Sequence, residues 1–358
     1  MKSIPYRSLF ALLSRCRRMR VDALLLLLTL LTAAMALSLF GGEPLLSQLG
    51  NTPEPSASPV ATPQQMKART APARRAARAQ AGEPVRFLMF NVRNYFVAAD
   101  EPRSPHRNPD KRLEEREAVA EVIASAEPAM VGLVEIGGPA ALADLQKRLK
   151  ARGAEYPYSC LLPRAGEARA LALLSRYPLA ENNSVAQCPL REHAARGYML
   201  RGILDVTVLL PDERTFRIVG AHLKSRYAES PAESAKAAAL RAAELRTLAH
   251  YLQGVIQQQP EQPLLLFGDW NGDPGETKML TQNAVSGVDL HRVSAADSRG
   301  EKWTIRYGEE EIYSTFDRIY VNKSLSKRMG RAAGQGGIVD VPAAAKASDH
   351  RAVWCELR

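Results

Sequence analysis

Eight polar residues stand where short apolar runs end or begin. Asn91 closes VRFLMFN, Glu135 closes AMVGLVE and His222 closes FRIVGAH. Asp269 and Asn271 follow PLLLFG, Asp317 opens DRIYV, and Asp349 and His350 precede AVWCEL. One acid after a strand is commonly a turn or cap residue. So many, each able to bind a metal or a phosphate, suit a single cleft better than a series of turns. The types match metal-assisted phosphoester hydrolysis. A hard divalent cation prefers carboxylate, carbonyl and water oxygens, and it polarises a phosphoryl oxygen. A carboxylate orients or deprotonates the attacking water. Amides and imidazolium hold the equatorial oxygens or protonate the leaving oxygen.

Blander readings compete at each position. DWNGDP is a natural turn of Asn, Gly and Pro, and Glu135 ahead of Ile136-Gly137-Gly138 could simply cap one. Ser348-Asp349-His350 lacks the Gly-flanked elbow of a serine nucleophile. No C-x-x-C pair is present, so a structural zinc site is not expected. Cys160, Cys188 and Cys355 fit either a Cys160–Cys188 disulfide in an exported domain or three buried free thiols.

The elements that must position these groups alternate between strand-like and helix-like segments. Strands are expected over 85–91, 129–135, 168–174, 203–210, 216–222, 264–269, 316–321 and 352–357. A helix is expected over 111–126, with Leu113, Val119, Val122 and Ile123 on one side and Pro128 ending it. Further helices are expected over 139–149 and 232–258. Such alternation predicts an α/β layered fold without internal repeats.

The net charge of +10 is not a property of this domain. Residues 1–82 carry eleven Lys and Arg against three Asp and Glu, which leaves the remainder at +2. Charge therefore neither supports nor excludes a polyanionic substrate. Six basic residues lie within 1–22, followed by an uncharged apolar stretch from Ala23 to Phe40. Eighteen such residues are just long enough to span a bilayer. The basic flank (1–22) predicts a cytoplasmic N-terminus, and 23–42 reads as an uncleaved transmembrane anchor in preference to a cleaved signal peptide. Residues 43–83 are a flexible linker by composition, and 84–358 form the catalytic domain. The expected location is a bacterial-type inner membrane with the catalytic domain exported; the alternative is secretion after signal cleavage. No protein partner is expected.

The strings FNVRNYF, VGLVEIGG, GAHLKSR, LLLFGDWNGDP, STFDRIYVN and ASDHRAVW occur in order across residues 84–358. Together they resemble the endonuclease/exonuclease/phosphatase family. The resemblance implies a four-layer α/β sandwich, two packed mixed sheets flanked by helices. It implies Glu135 as metal-binding acid, Asn91 in support of metal and nucleophile, and Asp349 as the further acid beside the site. It implies His222, Asp269, Asn271, Asp317 and His350 as the catalytic set, with Asp317 orienting His350. Arg93, Lys224 and Arg226 are candidate substrate contacts, each with a surface or packing role as the blander alternative. The implied cofactor is Mg²⁺, with Mn²⁺ or Ca²⁺ also suited to oxygen ligands. The expected substrate is DNA or RNA, since HLKSR is closer to extracellular nucleases than to lipid-directed members. The alternatives are a phosphatase or phospholipase-type enzyme on a lipid or inositol head group, and a non-catalytic binding module on the same fold.

Overall fold

A computed structural model describes residues 84–100, 109–191, 197–282, 288–307, 312–329 and 335–357. The expected membrane segment and linker lie outside the described residues. Among the described residues no helix is long and apolar enough to cross a membrane.

The chain runs β1 (Val85–Tyr95), α1 (Leu113–Ser125), β2 (Met130–Ile136), α2 (Pro139–Ala151), β3 (Tyr158–Arg164), β4 (Glu167–Ser175), β5 (Leu179–Asn182), β6 (Leu204–Leu209), β7 (Thr215–His222), α3 (Pro231–Gln258) and β8 (Leu264–Asp269). It continues through β9 (Leu290–Arg292), β10 (Ser294–Ala296), β11 (Ile305–Tyr307), β12 (Ile312–Ser314), β13 (Asp317–Asn322), α4 (Lys323–Met329), β14 (Gln335–Ile338), α5 (Ala344–Ala347) and β15 (Val353–Leu357). One mixed sheet has the order β10-β14-β15-β1-β2-β4-β3 and the other β5-β6-β7-β8-β13-β9. A small β11–β12 ribbon stands apart from both.

Alternation along the strands builds the layers. Phe87 and Met89 of β1 face Leu265 and Phe267 of β8 in a core between the sheets. Leu88 and Phe90 point the other way, onto Val119 and Ile123 of α1 and Leu142 and Leu145 of α2. Leu264 and Leu266 likewise face out, onto Leu245, Leu248 and Leu252 of α3. Helix, sheet, sheet, helix is the expected four-layer sandwich.

Phe267 needs unusual room. A Cβ on Gly132 of β2 would lie 2.6 Å from its ring, and one on Gly220 of β7 2.5 Å. Glycine at both positions lets the ring sit between the sheets, against Phe87 with centroids 5.4 Å apart. Local capping fixes the helices. Asp100 accepts hydrogen bonds from the backbone N–H of Gly138, Ala140 and Ala141, which anchors the start of α2. Ser230 caps α3 by accepting from Glu233 N–H.

Two expectations change, and the open choice between a disulfide and free thiols is decided. Leu113 begins α1 but is 57% exposed; the apolar face starts a turn later, at Ala118 and Val119. Cys160, Cys188 and Cys355 are buried free thiols, so the Cys160–Cys188 disulfide is not formed. The 316–321 strand begins at Asp317, one residue later than expected, and the Phe316 ring stacks on Tyr307. Strands β9 to β12 carry too few residues for a period to show in sequence.

Candidate functional site

Each sheet contains one β-α-β unit with parallel strands. In the first sheet β1 and β2 are parallel around α1; in the second, β7 and β8 are parallel around α3. Parallel neighbours end at the same edge. Glu135 therefore sits at the end of β2 and Asn91 where the β1 register breaks, four residues before that strand ends, and His222 pairs in register with Asp269 at the ends of β7 and β8. An antiparallel strand then starts at each edge. Asp317 opens β13 directly opposite Asp269, while Asp349 and His350 lead into β15, which pairs with β1. Two equivalent corners thus deliver seven side chains to one place.

The distances show which of them meet. Asn91 Nδ2 donates to Asp269 Oδ2 at 2.9 Å and lies 3.4 Å from His350 Nε2. His350 Nδ1 is 2.7 Å from Asp317 Oδ2. His222 Nε2 is 3.6 Å from Asp269 Oδ2 and 3.8 Å from Glu135 Oε1. Asn271 N–H donates to Asp269 Oδ1 at 2.9 Å, and its side chain donates to Leu223 O, so the amide spans β7 and the loop after β8. Asp349 is reached through Ser348, whose hydroxyl donates to Asn91 O at 2.8 Å and lies 3.3 Å from Asp349 Oδ1. Trp270 is fully buried in the outer layer, its indole N–H donating to Arg318 O. It pins the loop that carries Asn271.

Backbone strain gathers here. Arg93, Asn94, Glu135 and Asn271 all have positive φ, between 45° and 63°. Each such residue costs on the order of 1–3 kcal/mol and persists where surrounding structure enforces it. At β1 the enforcement is visible. The register shifts between Asn91 and Tyr95. Arg93 N–H donates to Asn91 Oδ1, and Asn94 N–H donates to Glu135 Oε2. Buried Lys111 closes the turn from behind, its Nζ donating to Arg93 O at 3.1 Å.

The two histidines differ in charge. Burial lowers His222 well below its ordinary range, and Arg201, Arg169, His350 and Lys224 add to that. Burial also disfavours charge on His350, but the Asp317 carboxylate and its hydrogen bond outweigh it and raise the value. Burial raises Asp269, opposed by the His350 cation. Burial lowers the Lys111 ammonium to about 8. The surroundings thus favour the neutral form of His222 and the cationic form of His350, and they raise the proton affinity of the Asp269 carboxylate.

The donor set fits a hard divalent cation. Glu135, Asp349, Asp269, Asp317 and the Asn91 amide are oxygen-rich, and Asp317 Oδ1 is buried with no hydrogen-bond donor among the described residues. Ligand atoms of Asp269, Asp317 and His350 lie within 4.8 Å of one another. That trio differs from the expected Asn91, Glu135 and Asp349. Its Asp317 oxygen already holds His350 at 2.7 Å, and all three groups are buried. Glu135 and Asp349 keep part of their surface, with side chains 17% and 35% exposed. A cation that retains water ligands suits the latter pair.

The expected substrate contacts divide. Arg93 lies 3.6 Å from Asp349 at the exposed rim. Lys224 directs its backbone N–H to Glu244 and leaves its side chain half-buried beside His222. Arg226 is already engaged by Asn271 O, Asp273 and Glu276, so it braces the loop. Reading strand ends missed Lys111, Arg169, Arg201 and Glu244. None of these terminates an apolar run, and only tertiary pairing brings them in.

The family model described as Endonuclease/Exonuclease/phosphatase family matches residues 90–350. No curated protein sequence matches the chain at a significant level. Among solved structures, an endonuclease/exonuclease/phosphatase from Bacteroides vulgatus superposes with TM-score 0.54 at 17% identity, over 77% of this chain and 99% of that one. Staphylococcus aureus beta toxin gives 0.52 at 14%, over 76% and 99%. The human Nocturnin catalytic domain with bound sulfate gives 0.51 at 18%, over 77% and 94%. At these identities the likeness extends to the fold alone. The family model spans both corners of the site, from Phe90 to His350, and on that match the chain belongs to the endonuclease/exonuclease/phosphatase family.

Proposed function

We propose that the chain is a divalent-metal-dependent phosphodiester hydrolase, a nuclease acting on DNA or RNA. We further propose that residues 23–42 tether it to a membrane, with the catalytic domain exported. Family members are generally phosphoesterases or nucleases that use divalent metals. One observation carries the reading: the Asp317–His350 pair at 2.7 Å lies against Asp269 and Asn91, with His222 Nε2 3.6 Å from Asp269.

In this reading Glu135 and Asp349, supported by the Asn91 amide, would hold Mg²⁺. The bound cation supplies charge that offsets the negative charge developing on the phosphoryl oxygens. Asp269 orients the attacking water and takes its proton at Oδ2, helped by its raised affinity for protons. His350, fixed by Asp317, holds a phosphoryl oxygen through Nε2. Asn271 holds the Asp269 carboxylate through its backbone N–H and contacts phosphate. His222 supplies a neutral imidazole beside Glu135 and Asp269.

The test is a substrate panel. The full-length chain with Mg²⁺ is given plasmid DNA, RNA, sphingomyelin and a phosphorylated inositol. Cleavage of DNA or RNA that His350→Ala abolishes is the expected result. Intact nucleic acid alongside turnover of either other substrate sinks the nuclease assignment. Loss of every turnover sinks the enzyme.

A further inference from the structure

Arg201 lies on the flank of the site that the reaction described above leaves unused. It is 7% exposed, in the turn leading into β6. Gly202 beside it has φ 68°, and a Cβ there would come within 2.3 Å of Val185 O, so the turn has little freedom. Arg201 Nε is 3.3 Å from Glu167 Oε2, yet neither Nε nor Nη1 finds a hydrogen-bond acceptor among the described residues. Arg86 and Arg164 also leave Nε without an acceptor, but their terminal nitrogens bond Ala126 O, Glu356 and Leu200 O. A guanidinium buried this deeply with two nitrogens unfilled is costly unless something else completes it.

Its neighbours identify the missing group. Arg169 of β4 lies 3.6 Å from Glu135 Oε2 and 3.5 Å from Glu167. Glu167 bridges Arg201 and Arg169, and the Glu135 that Arg169 borders lies 3.8 Å from His222 Nε2. Buried Glu244 of α3 ties the segments of Arg201 and Lys224 together. It accepts from Leu200 N–H at 2.8 Å and from Lys224 N–H at 2.6 Å. Arg201 and Arg169, with Glu167 between them, and Lys224, two residues past His222, adjoin a phosphate-cleaving site, and the two unfilled Arg201 nitrogens suit a tetrahedral anion with several acceptor oxygens.

We propose that Arg201, with Arg169 and Lys224, forms a second phosphate subsite beside His222. It takes the phosphate next to the scissile one along a nucleic acid strand. The proposal rests on the phosphodiesterase reading above and deepens it, since a subsite of this kind selects a strand over an isolated diester.

The experiment compares dithymidylate, TpT, with its terminally phosphorylated forms pTpT and TpTp, using the full-length chain with Mg²⁺. Wild type should show kcat/KM for one phosphorylated form about tenfold or more above TpT, as charge-assisted hydrogen bonds confer. Arg201→Gln should collapse that ratio to about twofold or less, and Arg201→Lys should restore part of it. No preference in wild type, or a preference that survives Arg201→Gln, overturns the proposal. Should Arg201→Gln fail to fold, Arg169→Gln must reduce the same ratio; an unchanged ratio there is equally fatal. Should none of the three dinucleotides be cleaved, the nuclease reading fails separately. The subsite is then read from inorganic phosphate, which should raise the Tm of metal-free wild type but not of Arg169→Gln. Equal rises in both proteins, or none in either, overturn it.

Discussion

The two corners of the site share a topology and differ in wetness. The first-sheet corner presents Glu135 and Asp349 with 17% and 35% of their side chains exposed, Glu135 on strained backbone, next to Arg169 and Arg93. The second-sheet corner presents His222, Asp269 and Asp317, each no more than 2% exposed. One arrangement of strands has produced a hydrated acidic rim and a dry proton-handling centre. Burial, rather than residue type, separates the two. A carboxylate in contact with water can share a cation that keeps its own waters. A carboxylate out of water changes its affinity for protons instead. Hydrogen bonds from Asn91 to Asp269 and between His350 and Asp317 join the corners, and His222 approaches Glu135 at 3.8 Å.

If this division holds, variants on the two sides should fail differently. The largest loss is expected from Asp269→Asn, about a thousandfold in kcat, while calorimetric Mn²⁺ affinity stays within about threefold. Loss of metal binding in that variant would break the comparison in favour of the Asp269, Asp317, His350 trio as the cation site. Glu135→Gln should weaken Mn²⁺ binding by about a hundredfold or more, with activity recovering as metal is raised. Failure to recover at saturating metal would place Glu135 in the chemical step itself. Asp317→Asn should lower kcat by about a hundredfold, and its stability cost should depend on pH. His350 is held above its unfolded value of 6.5, so its pairing stabilises fully below about pH 6.5. That contribution is lost as pH rises through the folded value. The Tm deficit of Asp317→Asn should therefore be greatest in acid and shrink towards alkaline pH; a deficit flat in pH would remove His350 protonation from the account. The smallest effect is expected from Lys111→Met, about tenfold weaker metal binding, because it releases the Arg93 turn. A rise in metal affinity instead would mean that the ammonium acts by charge repulsion.

Most of this was legible as pattern. Asn91, Glu135, His222 and Asp269 could be read because apolar runs of a strand's length stop at them, and parallel strands bring such stops to one edge. Leu113 was misread because helical spacing extends past the point where α1 leaves the core. Lys111 and Arg201 carried no readable signal. Their importance lies in a carbonyl 18 residues away and in hydrogen-bond acceptors that are missing, and neither is a property of spacing. Arg226 looked like a substrate contact in HLKSR, but Asp273 and Glu276, far along the chain, claim it.

Phe267 has a role its position in the core conceals. It stands two residues before Asp269, Gly220 two before His222 and Gly132 three before Glu135. The ring therefore acts as a dowel through both sheets, one pleat beneath the reacting groups. Two boards fixed this way cannot slide past each other. The alignment of one corner with the other is a matter of joinery, decided by a hydrocarbon ring and two missing methyl groups. A single methyl added at Gly132 or Gly220 would spoil the fit of acids and imidazoles that it never touches.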